Sequence, residues 1–207
     1  MRLLGIECAT ENCSVALFEQ GELLGGTAQV LGRGHAEALI PMIAALPGNG
    51  RAERIVVSLG PGSFTGLRVG LAAARALALA WHAELAGYAT HALVAAMARA
   101  EAGDQPVSVA MSGGHGEWFL TEFDPAGAML GAPQSLAPQI AAQRAHAALV
   151  AGSQAPALVA ARGTGRGLEI LPDARQLLLL DAGAFSGPVH LAYGRAPDAR
   201  LPGGILP

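Results

Sequence analysis

Residues 55–82 read IVVSLGPGSFTGLRVGLAAARALALAWH, and this stretch decides the fold. The β-branched run Ile55-Val56-Val57 predicts a buried strand, the glycine-rich segment 60–66 predicts a tight loop, and the apolar residues after it predict a long helix. A strand, a glycine loop and a helix in this order present free backbone N–H groups at the positive end of the helix. The pattern predicts an α/β protein.

Hydrophobic periodicity extends this prediction to the rest of the chain. Strands are predicted over residues 3–7, 13–18, 23–30, 55–59, 107–111 and 118–123, with weaker strand pieces over 147–150 and 157–159. Helices are predicted over residues 35–46, 65–82, 90–102 and 136–144. Pro41 is expected either to kink the first helix or to mark its start, and Thr90 is a candidate N-cap of the third.

A change of composition at residues 103–106 (GDQP) divides the chain into two parts. Strands followed by alternating helices and strands occur before it, and the pattern partly repeats after it. We therefore expect an N-terminal subdomain over 1–103 and a smaller C-terminal subdomain over 104–207, with the tail returning to the first.

The composition favours a folded protein with a large core. Of 207 residues, 52% are hydrophobic and 14% charged, which argues against disorder. The positive charge is carried by 13 arginines without a lysine, and the net charge of -3 offers no broad basic surface for nucleic acid. Direct tRNA binding by this chain alone is therefore not expected.

Two cysteines, Cys8 and Cys13, lie five residues apart near the N-terminus. Two free thiols in a reducing cytoplasm are the simpler interpretation, and a redox pair is the alternative. The N-terminus leads directly into a predicted strand, so no signal peptide is expected. Arg68 and Arg75 interrupt the apolar segment 66–81, so we expect no membrane span and a cytoplasmic protein.

The long helix is apolar nearly all round and carries small residues four positions apart. Such a row allows another helix to approach closely, either from within the subdomain or from a partner. Because so few of its residues are polar, the partner interpretation is favoured. The predicted interface consists of Leu39 and Ile43 from the 35–46 helix with Leu67, Gly70, Leu71, Ala74 and Ala78 from the long helix.

The glycine loop has two interpretations. It lacks the Lys and Ser/Thr of a GxxxxGK[ST] phosphate loop, so that nucleotide motif is absent. A strand-to-helix turn with Ser63 or Thr65 as N-cap explains the loop from physical chemistry alone. The alternative is a loop that approaches a phosphate or a partner backbone, formed by Gly62, Ser63, Thr65, Gly66 and Arg68.

Candidate catalytic groups are few. The sequence lacks HExxH and HxxxH motifs and a cysteine cluster with metal-ligand spacing. Glu7, at the end of the first predicted strand, is a lone carboxylate, which is weak grounds for a metal site. We therefore assign no catalytic and no metal-binding residue.

Four segments of this chain resemble the TsaB (YeaZ) family, whose members help to make threonylcarbamoyladenosine in bacterial tRNA. They are residues 5–17 (GIECATENCSVAL), 35–43 (HAEALIPMI), 59–71 (LGPGSFTGLRVGL) and 193–199 (YGRAPDA). The GPGSFTGLR sequence in its strand-loop-helix setting is the most specific of them.

The resemblance implies an actin-like, sugar-kinase-like (ASKHA) fold with two related subdomains, each a mixed sheet flanked by helices. It also implies a non-catalytic scaffold or activator that binds and organises the TsaD transferase. The modification made by the complex is on the adenosine next to the anticodon. The implied partners are TsaD as a heterodimer, the TsaE ATPase, and a second copy of this chain when alone; tRNA is met only through the complex. No cofactor is expected on this chain alone, and ATP, ADP and metal are expected as ligands of the complex.

Two departures from the family pattern are visible. Family members usually have Asp-Thr or Asp-Ser where this chain has Glu7-Cys8, and Asp-Ala-Arg where it has residues 112–117 (SGGHGE). The loss of an Asp and an Arg in the second of these segments weakens any inherited role of the 112–117 loop, including contacts with nucleotide or a partner. The alternative function is an independent nucleotide-binding enzyme of the sugar-kinase type. A third interpretation is a peptidase, but no residues in the sequence support it.

Overall fold

The structure is a computed structural model that describes residues 1–185 and 189–192. The first sheet contains β1 (Arg2–Glu7), β2 (Asn12–Glu19), β3 (Glu22–Val30), β4 (Arg54–Ser58) and β5 (Glu84–Tyr88). The second contains β6 (Val107–Gly114), β7 (Glu117–Phe123), β8 (Gln134–Leu136), β9 (Leu149–Ala151) and β10 (Arg166–Leu168). The helices are α1 (His35–Ala44), α2 (Phe64–Trp81), α3 (Thr90–Ala102), α4 (Pro138–Arg144) and α5 (Ala155–Arg162). Short 3₁₀ turns occupy Pro47–Gly50, Ala174–Leu179 and Ala182–Ala184.

The two sheets have the same topology. In the first, the strand order is β3-β2-β1-β4-β5, with β1 antiparallel to β2 and parallel to β4. In the second, the order is β8-β7-β6-β9-β10, with β6 antiparallel to β7 and parallel to β9. The predicted pair of related subdomains, each a mixed sheet flanked by helices, is confirmed.

The elements stack in five layers, with α3 in the middle. One face of the first sheet packs against α1 and α2, where Leu4 and Ile6 share a buried cluster with Leu39 and Leu71. The other face of this sheet meets α3 through Leu93. The second sheet covers the opposite side of α3, and α4 and α5 close its outer face. The helix α3 therefore lies between the two halves and contributes to a separate buried cluster on each side.

The chain returns to the first sheet after β10. The Asn12 side-chain amide donates to the Pro172 carbonyl (2.9 Å), and the backbone N–H of Ala174 donates to Ser14 Oγ (2.9 Å). Leu177 lies over Gly5, where an added Cβ would be 2.1 Å from its side chain. The closing segment 193–199 lies outside the described residues.

Several sequence predictions need correction. The strand β5 was not predicted, and the predicted strand piece 157–159 lies inside α5. The predicted helix 136–144 begins only at Pro138, because Leu136 ends β8. Thr90 is the first residue of α3 rather than its N-cap; Ala89 has that position, and among the described residues no group bonds the buried Thr90 hydroxyl.

The helix α1 begins at His35 and ends at Ala44, with Pro41 inside it. Pro41 therefore does not mark the start of the helix. The predicted end at residue 46 was two residues too far, because residues 47–50 form a 3₁₀ turn in which Gly48 and Asn49 have positive φ.

Candidate functional site

The glycine loop lies on the turn that follows β1. Ser63 N–H donates to the Ala9 carbonyl (2.6 Å), which fixes the loop against this turn. A Cβ on Gly62 would lie 2.3 Å from the Ala9 oxygen, and one on Gly66 would lie 2.0 Å from the Cys8 oxygen. Both glycines are therefore required by a close approach of backbone to backbone within the chain.

Ser63 is the N-cap of α2, and its Oγ accepts a hydrogen bond from Gly66 N–H (3.2 Å). This satisfies one of the free donors at the start of the helix. The turn interpretation thus accounts for Gly62, Ser63 and Gly66. Thr65 is exposed, and the Arg68 guanidinium lies 3.6 Å from the centre of the Phe64 ring, a cation–π contact at the surface.

The residues predicted to face a partner are mostly buried inside this chain. Leu39, Ile43, Leu67, Gly70, Leu71 and Ala74 are all buried, and Ala78 is half-buried. The physical reason is visible at Gly70, where an added Cβ would contact Cys8 and Val57 of the chain's own sheet. The small-residue row of α2 thus serves packing within the subdomain, and a partner would have to meet the opposite side.

That opposite side is exposed and largely apolar. Leu79 is 79% exposed, Phe64 55% and Ile40 of the neighbouring α1 48%. We call these residues, with the exposed Ala72 and Ala76, the outer helix face. The helix α2 has a mean hydropathy of 1.2, high enough by length and composition for a membrane span, yet only 28% of it is buried within the chain.

A hollow of about 440 Å³ lies beside the outer helix face. It is lined by Arg68, Leu71, Ala72, Arg75, His190 and Leu191. Arg75 Nη2 donates to the Val189 carbonyl (3.0 Å), so the arginine helps to hold this returning segment against α2. The hollow therefore combines apolar walls with two guanidinium groups.

Glu7 is completely buried at the end of β1. Its Oε1 accepts from Ala9 N–H (2.6 Å), and its Oε2 accepts from the Tyr88 hydroxyl (3.0 Å). Burial raises the pKa of Glu7 to about 7, although these hydrogen bonds oppose the shift. Both carboxyl oxygens of Glu7 are therefore occupied by hydrogen bonds within the protein. Among the described residues, no group of three or more His, Cys, Asp or Glu side chains is placed to hold a metal ion.

Two further contacts involve chemically active side chains. His91 Nδ1 lies 2.7 Å from Thr121 Oγ1, which links α3 to the second sheet, and burial lowers the pKa of His91 to about 3. Cys8 and Cys13 are buried with their sulfurs 3.7 Å apart. The sequence showed the cysteine spacing, but nothing in it pairs His91 with Thr121 or Glu7 with Tyr88.

The 112–117 segment is the end of a β-hairpin. Gly114 pairs with Glu117, so His115 and Gly116 form a two-residue turn, and both have positive φ (52° and 78°). This is the backbone of a type I′ turn, which suits a glycine at its second position. Ser112 accepts a hydrogen bond from the Gln154 side chain (2.8 Å), which ties the hairpin to the region before α5.

Two sheets of identical order around a shared helix define the actin-like, sugar-kinase-like class of fold. YeaZ from Pseudomonas aeruginosa matches this architecture with a TM-score of 0.74 and 29% identity over 88% of this chain and 90% of that one. The family model described as TsaD: tRNA N6-adenosine threonylcarbamoyltransferase matches residues 25–158. The chain belongs to this family, and within it to the TsaB (YeaZ) proteins.

The curated relatives cover part of the sequence. The tRNA threonylcarbamoyladenosine biosynthesis protein TsaB of Escherichia coli is 34% identical over 128 residues, which is 59% of this chain and 55% of that protein. The Haemophilus influenzae TsaB is 38% identical over 85 residues, 38% of this chain and 35% of that protein. The chain thus spans about half the length, or less, of these two relatives.

Proposed function

We propose that this chain acts in the biosynthesis of threonylcarbamoyladenosine in tRNA as a non-catalytic subunit that binds and organises a TsaD-type transferase. The modified base is the adenosine next to the anticodon. The observation that carries this proposal is the outer helix face, an apolar surface on a folded domain. Surfaces of this kind mark protein–protein contacts.

The geometry of α2 suits a helix-to-helix contact. Leu79, Ala76 and Ala72 follow one another at helical spacing along the exposed side, and the two alanines allow a close approach. Ile40 extends the apolar surface onto α1. Arg68 and Arg75, four residues before and three residues after Ala72, lie on the same exposed side and supply two positive charges within it.

The same surface serves two partners in this proposal. When the chain is alone, two copies pair through the outer helix face; when the transferase is present, it replaces one copy. The homodimer and the complex with the transferase should therefore exclude each other, because each of them covers the same apolar patch.

The state of Glu7 supports an accessory role. The carboxyl group is enclosed and bonded to Tyr88 and Ala9, so it does not reach a substrate in the described structure. In this proposal, tRNA, ATP or ADP, metal and the TsaE ATPase are met through the complex.

Light-scattering chromatography of this chain alone and mixed with TsaD from the same organism tests the proposal. A mixed species that replaces the homodimer is expected, and it should support tRNA modification when TsaE, ATP and a threonylcarbamoyl donor are added. Absence of a mixed species, with or without nucleotide, would contradict the proposal. ATP-dependent phosphoryl transfer by the isolated chain would then favour the sugar-kinase alternative.

A further inference from the structure

We propose that Cys8 and Cys13 form a dithiol that small peroxides oxidise to an intramolecular disulfide, with Cys13 as the attacking thiolate and Cys8 as the resolving thiol. This inference is independent of the proposed function, because it concerns the chemistry of the isolated chain. It rests on the placement of the two sulfurs by the first hairpin.

The register of β1 on β2 brings the cysteines together. Glu7 pairs with Ser14, so continuing the antiparallel register by one residue places Cys8 directly opposite Cys13. Directly opposite residues of an antiparallel pair have Cα atoms about 4.5–5.5 Å apart, inside the range that a disulfide spans. The sulfurs, now 3.7 Å apart, need to approach by about 1.7 Å to bond.

The surroundings give the two thiols different roles. The contact with Cys13, together with burial, raises the pKa of Cys8, whereas the hydrogen bond accepted from Cys8 lowers the pKa of Cys13. Cys13 is thus the better thiolate, and Cys8 keeps its proton. Negative charge on Glu7 raises the pKa of both thiols, so this neighbour slows the reaction when ionised.

The reaction balances with hydrogen peroxide as the oxidant. The Cys13 thiolate attacks one peroxide oxygen, the O–O bond breaks, and hydroxide leaves to give a sulfenic acid. Cys8 sulfur then attacks the Cys13 sulfur, the S–O bond breaks, and the sulfenic oxygen leaves as water with the Cys8 proton. Overall, two thiols and one peroxide give one disulfide and two waters.

The turn between the cysteines, residues 9–11, governs how an oxidant reaches the sulfurs and which contacts the disulfide would change. Ala9 and Thr10 in this turn are buried and their carbonyl groups are hydrogen-bonded, so a small neutral oxidant reaches the sulfurs only when the turn opens locally. The same turn holds the ends of two helices: the Ala9 carbonyl accepts from Ser63 before α2, and the Thr10 carbonyl lies 2.8 Å from His35 Nε2 of α1. Formation of the disulfide should therefore alter the turn that contacts the N-terminal ends of α1 and α2.

Intact-mass spectrometry after a hydrogen peroxide titration of the folded chain tests the proposal. The wild type should lose about 2 Da and then, once denatured, fail to react with a maleimide. Cys8→Ser should instead trap a sulfenic acid that reacts with dimedone. Cys13→Ser should lose its remaining thiol at least about tenfold more slowly.

Other outcomes overturn the proposal. They are a wild type that gains oxygen without closing the disulfide, that cross-links between chains, or that stays fully alkylatable at doses that oxidise glutathione. The wild-type measurement decides by itself if either variant fails to fold.

Discussion

The Tyr88 hydroxyl donates to Glu7 Oε2 across 3.0 Å, and both side chains are completely buried. The same hydroxyl lies 3.1 Å from the Ile6 carbonyl. This contact joins the end of β1 to β5, the outermost of the parallel strands in the first sheet. It places an ionisable group in the core, so the stability of the fold should depend on the protonation of Glu7.

Stability should fall as the pH rises through the titration of Glu7. Below pH 4.5, its ordinary pKa, the carboxyl is protonated in both states; between 4.5 and about 7 the unfolded chain loses the proton while the folded chain keeps it. The folded state thereby loses up to about 3 kcal/mol above pH 7. Glu7→Gln, whose amide can accept from Ala9 and donate to Tyr88, should remove this loss.

Denaturant unfolding of the parent and the variant checks this at two pH values. The variant should be the more stable protein at about pH 8, and the two should converge near about pH 4. Glu22→Gln, at an exposed position, is the matched control and should change neither value. If Glu7→Gln destabilised the protein equally at both pH values, the raised pKa of Glu7 in the folded state would be refuted.

The buried His91 predicts the opposite dependence of stability on pH, with stability falling as the pH falls. Burial lowers the pKa of His91 from 6.5 to about 3, so as the pH falls below 6.5 the unfolded chain binds a proton that the folded chain refuses. Its neutral-pH stability is therefore lost progressively in acid. His91→Phe should cost about 1–3 kcal/mol at about pH 8, where it leaves the Thr121 hydroxyl buried without this bond.

The cost of His91→Phe should shrink towards about pH 5, because the parent itself loses stability there. Thr121→Val provides the control, since it breaks the same hydrogen bond but keeps the titrating imidazole. It should be destabilised at both pH values by similar amounts. A His91→Phe cost that is independent of pH would show that the imidazole does not titrate in this range.

The close approach of Gly66 to Cys8 predicts a severe effect of a single methyl group. A Cβ at Gly66 would lie 2.0 Å from the Cys8 carbonyl oxygen, which belongs to the backbone at the end of β1 and cannot rotate away. Gly66→Ala should destabilise the protein by about 1–3 kcal/mol despite the better helix propensity of alanine. Thr65→Ala, at an exposed position of the same turn, is the control and should change stability little. Thermal unfolding of both variants measures the difference, and equal melting temperatures would contradict the packing of the loop.

Much of the first subdomain is predictable because its patterns are local. The alternating and β-branched residues of β1, β2 and β4 and the small-residue row of α2 mark these elements directly. The strand β5 is not predictable this way, since Ala86 and Gly87 have low strand propensity and are held by parallel pairing with β4. In α5, a short apolar run is ambiguous between strand and helix.

The site was harder to predict than the fold. A helix that is apolar on every side does not reveal which side meets its own sheet, so the sequence placed the interface on Gly70 and Leu71, which are buried. Likewise, a single glutamate at a strand end does not reveal that Tyr88, 81 residues away, encloses it. Both features depend on contacts between distant segments.

The outer helix face is tested most directly by one pair of substitutions and a binding measurement with TsaD. Leu79→Glu places a charge on this face, and Leu130→Glu makes the same change at a second exposed leucine, on the other half of the chain. Because these side chains are 79% and 64% exposed, both variants should melt like the parent. Titration calorimetry should show TsaD affinity reduced at least about tenfold by Leu79→Glu and unchanged by Leu130→Glu. Unaltered affinity in Leu79→Glu, or an equal loss in both variants, would contradict the account.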